Sequence, residues 1–215
     1  MDDTTSREKV LKSVRNALIS KLDNPYVDVD FDSPVFEGLK DAPAINFAQE
    51  LLAVQGKFAY CSDDKEFAEV LGSVMLEKGW KNIHCTDRGL QNTLESYGLP
   101  FTYEEKDFDT MQGGLTSCEY LVARLGSVMV SSGQSSGRRM TAYPEVHLVY
   151  ARASQLVPDL KDALKGMRER YPQGLPSMIT MITGPSRTAD IEKTLVMGAH
   201  GPRELYVFMV DDQVI

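Results

Sequence analysis

No stretch of the sequence approaches the roughly 20 consecutive apolar residues that a membrane-crossing helix needs, which argues against a helical span. The opening Met1-Asp-Asp-Thr-Thr lacks the basic-then-apolar order of a signal peptide, so a cytoplasmic protein is expected. Cysteine is scarce: Cys61, Cys85 and Cys118 are odd in number and far apart, and none stands in a C-x-x-C pair that would grip zinc or an iron–sulfur cluster. Buried free thiols are the expectation. Basic residues are outnumbered, 23 against 31 acidic, and a net charge of −8 opposes a nucleic-acid partner. Internal repeats and low-complexity tracts are lacking too, and Trp80 with the ten scattered methionines reads as packing.

What is present is an α/β alternation behind an N-terminal appendage. In residues 4–22, Val10, Leu11, Val14, Leu18 and Leu22 fall at helical spacing between charges, predicting an amphipathic helix. The following connector is rich in turn formers and acids, among them Pro25, Asp28, Asp30, Asp32, Pro34, Gly38 and Pro43. Residues 1–43 are therefore read as a helical extension and 44–215 as the α/β domain. Helices are expected at 45–55, 63–79, 89–97, 116–123, 154–171 and 188–197. Strands are expected at 57–61, 82–85, 99–103, 127–132, 147–150, 178–182 and 204–210. Strands separated by helices imply an open, mainly parallel sheet flanked by helices, and the strongly apolar strands after residue 126 imply helices on both faces.

Ligands of a parallel sheet collect beyond the carboxyl ends of its strands, and three loops are assigned there. The first, Ser131-Ser-Gly-Gln-Ser-Ser-Gly-Arg-Arg139, offers backbone N–H groups, hydroxyls and two guanidinium forks, with Ser132, Gly133, Arg138 and Arg139 as candidate anion ligands. It matches neither a P-loop nor a dinucleotide fingerprint, so it serves equally as a plain connector. The second, Thr183-Gly-Pro-Ser-Arg-Thr-Ala-Asp-Ile-Glu192, puts Gly184 at a tight strand exit and Ser186 or Thr188 at a helix cap. Asp190 and Glu192 then either stabilise the positive end of that helix or serve as acid and base; Arg187 opposes the dipole and needs a carboxylate, a ligand or solvent. The third, Gly198-Ala-His-Gly-Pro-Arg203, has Gly198 as a helix cap and Gly201-Pro202 as a turn, leaving His200 and Arg203 as functional candidates. His147 opens a strand and is expected to be satisfied by backbone, and His84 is read as structural.

The segment Ile182 to Glu192, followed by Gly198-Ala-His-Gly-Pro-Arg203 and Val210-Asp211-Asp212, resembles the signature of the LUD domain family of lactate-utilization proteins. The likeness continues upstream through Gly114-Leu-Thr, Glu119, Ser131-Ser132, Arg138-Arg139, Pro144 and His147. It implies a fold similar to the phosphosugar-isomerase and CoA-transferase superfamily, and a place beside iron–sulfur partner proteins that oxidise L-lactate to pyruvate. It also implies a small carboxylate or phosphate-bearing ligand and no cofactor or cluster of this chain's own. Relatives typically carry Ala, an acidic residue, a small hydroxyl residue and Gly where this chain has Ala123-Arg124-Leu125-Gly126. A stand-alone enzyme on a phosphosugar, acyl-CoA or folate-like substrate, with Asp190 or Glu192 as base and His200 as partner, is the alternative. A third reading makes the N-terminal helix a docking element.

Overall fold

In a computed structural model, residues 5–19, 28–30, 38–189, 195–198 and 200–212 are described. The chain forms two compact units, Met1–Gly38 and Leu39–Ile215. In the first, α1 (Ser6–Ile19) buries none of its residues and exposes Val10, Leu11, Val14 and Leu18. Leu22, the last apolar position of the expected repeat, lies outside the described residues.

The second unit is built on a six-stranded sheet. Its strands are β1 (Lys57–Cys61), β2 (Ile83–His84), β3 (Phe101–Thr102), β4 (Gly113–Thr116), β7 (Val146–Arg152) and β12 (Glu204–Val210). They run parallel in the order β1-β12-β7-β4-β2-β3. The mainly parallel α/β fold expected from the helix–strand alternation is therefore the one observed. Side chains alternate along β7 and β12, so each strand feeds two cores. Leu148, Tyr150 and Phe208 pack against Phe67, Leu71 and Met75 of α3 (Asp64–Lys78) and Leu90 and Leu94 of α4 (Arg88–Ser96). Both helices start where a side chain satisfies free backbone donors: Asp63 accepts from the Glu66 N–H at 2.8 Å, and Asp87 from the Gly89 N–H at 2.9 Å.

The opposite face carries a helix as expected, and beside it a second sheet that the sequence did not announce. Val149, Ala151, Val207 and Met209 meet Phe47 and Leu51 of α2 (Pro43–Ala53) together with Leu121, Val128 and Val130 of a second sheet. That sheet holds β5 (Tyr120–Val122), β6 (Ser127–Ser131), β8 (Leu156–Val157) and β9 (Ile179–Ile182) in the order β8-β5-β6-β9, mostly antiparallel. Its outer side chains Val122 and Met129 are covered by Ala163 and Met167 of α5 (Leu160–Arg170). An apolar strand between two packed layers looks the same in sequence whether the layer is a helix or a sheet.

Three further expectations change. Residues 116–123 form no α-helix: the Glu119 N–H donates to the Met129 carbonyl (2.8 Å), residues 120–122 pair as β5 with β6, and Ala123 opens a short 3-10 turn. The expected helix at 154–171 begins only at Leu160, after Pro158, with Asp159 as its cap. The expected helix at 188–197 is replaced by β10 (Arg187–Ala189) and β11 (Leu195–Met197), an antiparallel pair. A Leu-Val-Met segment held by cross-strand hydrogen bonds overrides a helical spacing of apolar residues. Among the described residues no helix is long and apolar enough to cross a membrane.

Glu204, at the start of β12, shows how the sheet edge is fastened. It accepts from Lys57 Nζ at 2.6 Å and pairs with Lys78. Burial alone would raise its carboxyl, but the two ammonium groups hold it down at about 2.

Candidate functional site

The Gly-Pro loop after β9 and the turn before β12 come together. The Ser186 N–H donates to the Pro202 carbonyl (2.8 Å), and the Gly198 N–H to the Ser186 carbonyl (2.9 Å). Gly184 has φ +76° and lies against the Val54 carbonyl at the C-terminal end of α2, leaving no room for a Cβ. Gly201 lies against the Ser186 side chain, where an added Cβ would stand 3.1 Å from Ser186 Cβ. Because no helix follows this loop at residue 188, Ser186 and Thr188 are not caps and Arg187 opposes no dipole. Instead the Arg187 guanidinium donates to the Val54 carbonyl, placing a cation at the negative end of α2. Gly198, φ +75°, ends β11 and caps no helix.

Between these turns and the amino ends of β7 and β12 lies a cavity of about 370 Å³. Its wall includes Thr180, Thr183, Ser186, Arg187 and His200, and His147 of β7. This corrects the placement of the second and third loops beyond the carboxyl ends of the parallel strands; the first does lie there, with Gln134 Nε2 donating to the Ser117 hydroxyl just past β4 and the Ser135 hydroxyl to Asp87 just past β2. Residues 131–139 and 183–187 follow strands of the second sheet, and residues 198–203 precede β12 at its amino end. Sequence shows that a loop follows a strand but not which sheet that strand joins.

His147 is the residue that reading the sequence undervalued. It is fully buried, and its Nε2 lies 2.8 Å from the Thr116 hydroxyl, a side chain where a backbone partner was expected. Its Nδ1 is buried with no partner among the described residues. Leaving such a nitrogen unsatisfied costs about 1–3 kcal/mol, and burial pushes the imidazole down to about 4, so the ring is neutral at pH 7. A polar residue inside the otherwise apolar run Val146-His-Leu-Val-Tyr150 was the available signal. Around this neutral ring the cavity carries Arg187 and His200, and no aspartate or glutamate among the described lining residues. Such a lining suits an anion or a polarised oxygen.

The other candidates separate from it. Ser132 binds the 177–178 segment: its hydroxyl accepts from the Met178 N–H (3.2 Å) and meets the Ser177 hydroxyl (3.2 Å). The Arg138 guanidinium donates to the Ser177 hydroxyl at 2.6 Å. Arg139 pairs with Glu105 and lies over the Phe108 ring, 3.8 Å from its centroid. Gly133 packs on the Tyr171 hydroxyl. These residues fasten the 131–139 loop and do not line the His147 cavity, which the chain beyond that loop touches at Thr141 and Ala142. Arg203 pairs with Glu145 at 3.3 Å. Thr188 lies on β10, and Asp190 and Glu192 lie outside the described residues. Arg124 of the unusual Arg124-Leu125 pair reaches Asp159 (3.0 Å), the cap of α5, so this departure from the family pattern serves packing.

A second cavity of about 390 Å³ does lie at the carboxyl ends of the parallel strands, beside Asp87, Ser117, Arg152 and Arg170. Its charges are already matched: Arg152 pairs with Asp64 (3.3 Å), Arg170 with Glu119 (2.6 Å), and the Ser117 hydroxyl donates to Asp87 (3.0 Å). The orphaned nitrogen marks the first cavity as the better candidate.

Gly184→Ala is expected to destabilise the protein by about 2 kcal/mol, since left-handed backbone costs an alanine about 1 kcal/mol and the Val54 carbonyl must also move. Gly137→Ala, also left-handed (φ +62°) but in open space, supplies the comparison and should cost only about 1 kcal/mol. Equal losses for the two variants in urea unfolding would show that the Val54 contact does not constrain the turn.

Residues 46–210 match the family model for the LUD domain. An uncharacterized protein of Neisseria meningitidis serogroup B is 31% identical over 220 residues, covering 96% of this chain and 94% of that protein. Lactate utilization protein C 1 of Bacillus mycoides is 34% identical over 199 residues, covering 83% of this chain and 84% of that one. Lactate utilization protein C of a Geobacillus species is 35% identical over 157 residues, 70% of this chain and 61% of its own length. The crystal structure of a DUF162 family protein from Deinococcus radiodurans is similar in fold, with a TM-score of 0.59 at 17% identity over 78% of this chain and 96% of that one.

Proposed function

The chain belongs to the LUD domain family, and from that membership we propose that it is a cytoplasmic component of a lactate-utilization system. Its cavity below the joined turns binds a small carboxylate or phosphate-bearing ligand of that pathway. The observation that carries the reading is the meeting of residues 183–187 with residues 200–202 over His147, in a wall bearing Arg187 and His200 and no described carboxylate. The names of the Bacillus and Geobacillus relatives support lactate utilization as the process.

The oxidation of lactate to pyruvate releases two electrons and two protons, and this chain's own side chains are poorly suited to take the electrons. Cys61, Cys85 and Cys118 are each buried, and burial raises their thiols, to about 11 for Cys61 and about 12 for Cys85. Among the described residues no group of three His, Cys, Asp or Glu side chains could hold a metal ion. Iron–sulfur partner proteins take the electrons in this reading, and the present chain supplies the ligand site.

Deleting the gene is expected to abolish growth on L-lactate as sole carbon source, with growth on glucose unchanged. Normal growth of the deletion strain on lactate would reject the role. With the purified chain, saturating L-lactate, pyruvate or phosphate is expected to raise Tm by several degrees, because binding to the native state alone stabilises it by mass action. No shift with any of the three would reject the cavity as a small-anion site.

A further inference from the structure

A strand at the edge of a sheet leaves a row of backbone N–H and C=O groups without partners, and proteins guard such edges with charge, proline or brevity. Among the described residues the two larger sheets end on β1, β3, β8 and β9, and the first three of these are guarded. β1 opens with Lys57, whose ammonium pairs with Glu204. β3 is two residues long and follows Pro100, and β8 is two residues long and runs into Pro158. β9 has none of these protections: Met178-Ile-Thr-Met-Ile-Thr183 is a run without charge, proline or glycine. Its backbone bonds go to β6 on one side, and no described residue pairs with the other. Ile182 packs toward the core shared with β7 and β12, and Ile179 and Met181 toward Ala163 and Met167 of α5, yet all three stay partly exposed. A strand laid beside β9 would extend both apolar layers.

Two cations bracket this edge. Arg138 Nη2 donates to the Ser177 hydroxyl (2.6 Å), just ahead of β9, and Arg187 follows the turn that leaves it. Arg138 meets that hydroxyl and Arg187 the Val54 carbonyl, and neither pairs with a carboxylate among the described residues. A second copy of the chain is therefore a poor occupant. Pairing β9 with β9 about a two-fold axis sets the Ser177 end of one copy against the Thr183 end of the other, so that like charges meet at both ends.

We propose that the outer edge of β9 is a strand-addition site for an extended segment of a partner protein, uncharged in its middle and carrying a carboxylate at each end. Main-chain hydrogen bonds to β9 supply the affinity, and the two arginines select the acidic ends. The site goes beyond the small-anion reading and does not rest on it, although Arg187 belongs to both.

The test uses the full chain and blocked hexapeptides of the pattern Glu-Val-Thr-Val-Thr-Glu, followed by calorimetry and amide hydrogen exchange. The Glu-ended peptide is expected to bind roughly tenfold tighter than its Gln-ended counterpart, as two part-exposed charge pairs predict. Its binding should slow exchange within residues 179–182. Methylating the peptide nitrogens at one alternate set of positions should abolish binding and at the other set should leave it, since successive N–H groups of a strand point to opposite sides. Arg138→Gln, which lies outside the His147 cavity, should cut the preference for the Glu-ended peptide to about threefold. Equal affinity for the Glu- and Gln-ended peptides, equal effects of the two methylation patterns, or no binding at all would overturn the proposal. Dimers that form with concentration and protect residues 179–182 before any peptide is added would overturn it in favour of a second copy. Lactate, pyruvate and phosphate are read separately through Tm, so failure of the peptides leaves the small-anion reading standing.

Discussion

Glu119→Ala is expected to lower the free energy of unfolding by about 3 kcal/mol, the lower part of the range for breaking a buried ion pair. The Glu119 carboxylate is 1% exposed and lies just ahead of β5. One oxygen accepts from the Ser131 hydroxyl (2.6 Å) and the Tyr171 hydroxyl (2.7 Å), the other from Arg170 Nη1 (2.6 Å). A single side chain thus joins the end of β6, the C-terminal end of α5 and the entry to β5. Alanine leaves the buried Ser131 hydroxyl, the half-buried Tyr171 hydroxyl and a guanidinium without this acceptor. Arg170 remains 42% exposed, so water takes up part of its charge, which is why the upper end of the range is not expected. For a chain of this length the loss corresponds to a fall in Tm of roughly 6–12 °C. Glu119→Gln retains an oxygen for the two hydroxyls and should lose about half as much. A Tm for Glu119→Ala within 2 °C of the wild type would show that the network does not hold the second sheet to α5.

Acid should destabilise the protein in two steps, the first carried mainly by His147, with His84 also held down by its burial, and the second mainly by Glu204. His147 ionises near 6.5 when unfolded and near 4 in the fold, because burial opposes its charge. Its folded value is the depressed one, so its contribution is complete above about pH 6.5 and is lost as pH falls toward 4, in all about 3 kcal/mol. Glu204 is likewise depressed, to about 2, by Lys57 and Lys78. Its contribution is complete above about pH 4.5 and lost between there and pH 2, on the order of 2 kcal/mol after allowance for its partial exposure. Urea unfolding from pH 7.5 to 3 should therefore show a first decline between pH 6.5 and 4. His147→Gln, which has no ionisable ring, should remove most of that first decline, leaving the smaller part due to His84, and leave the second. An unchanged slope in the variant would mean that some other group governs stability in that window.

The same histidine shows where reading a sequence stops. Its setting in an apolar run was visible, yet an alternating strand does not reveal whether a polar position faces a neighbouring backbone, a hydroxyl or an open cavity. Only the parallel register of β7 against β4 brings the Thr116 side chain, 31 residues earlier, to its Nε2. Arg187 carries the same lesson. Placed at the start of an expected helix it was electrostatically anomalous, but as part of β10 it meets the carboxyl-terminal end of α2, 133 residues away, where a cation belongs. Asp190 and Glu192 carried the acid–base roles of the alternative reading, and the described residues end just short of them.

Periodicity and capping residues were sufficient by themselves for part of the local elements, though not for residues 116–123 and 188–197. The amphipathic spacing of α3 and α4, the aspartates that start them, and the apolar runs of β1, β7 and β12 are short-range properties, and the α/β class follows from their alternation. The Gly-Pro turns and their resemblance to the LUD family were also legible, because motif residues adjacent in the chain stay adjacent in space. Which strands pair, and so which loops share a cavity, was decided only by tertiary structure. β5, β6, β8 and β9 are apolar runs like those of the main sheet, and nothing within five residues of chain separates a strand covered by helices from one covered by a second sheet. Burial against β7 and β12 separates them. The same packing moves residues 183–187 from the carboxyl to the amino side of the parallel sheet, and sets them above His147.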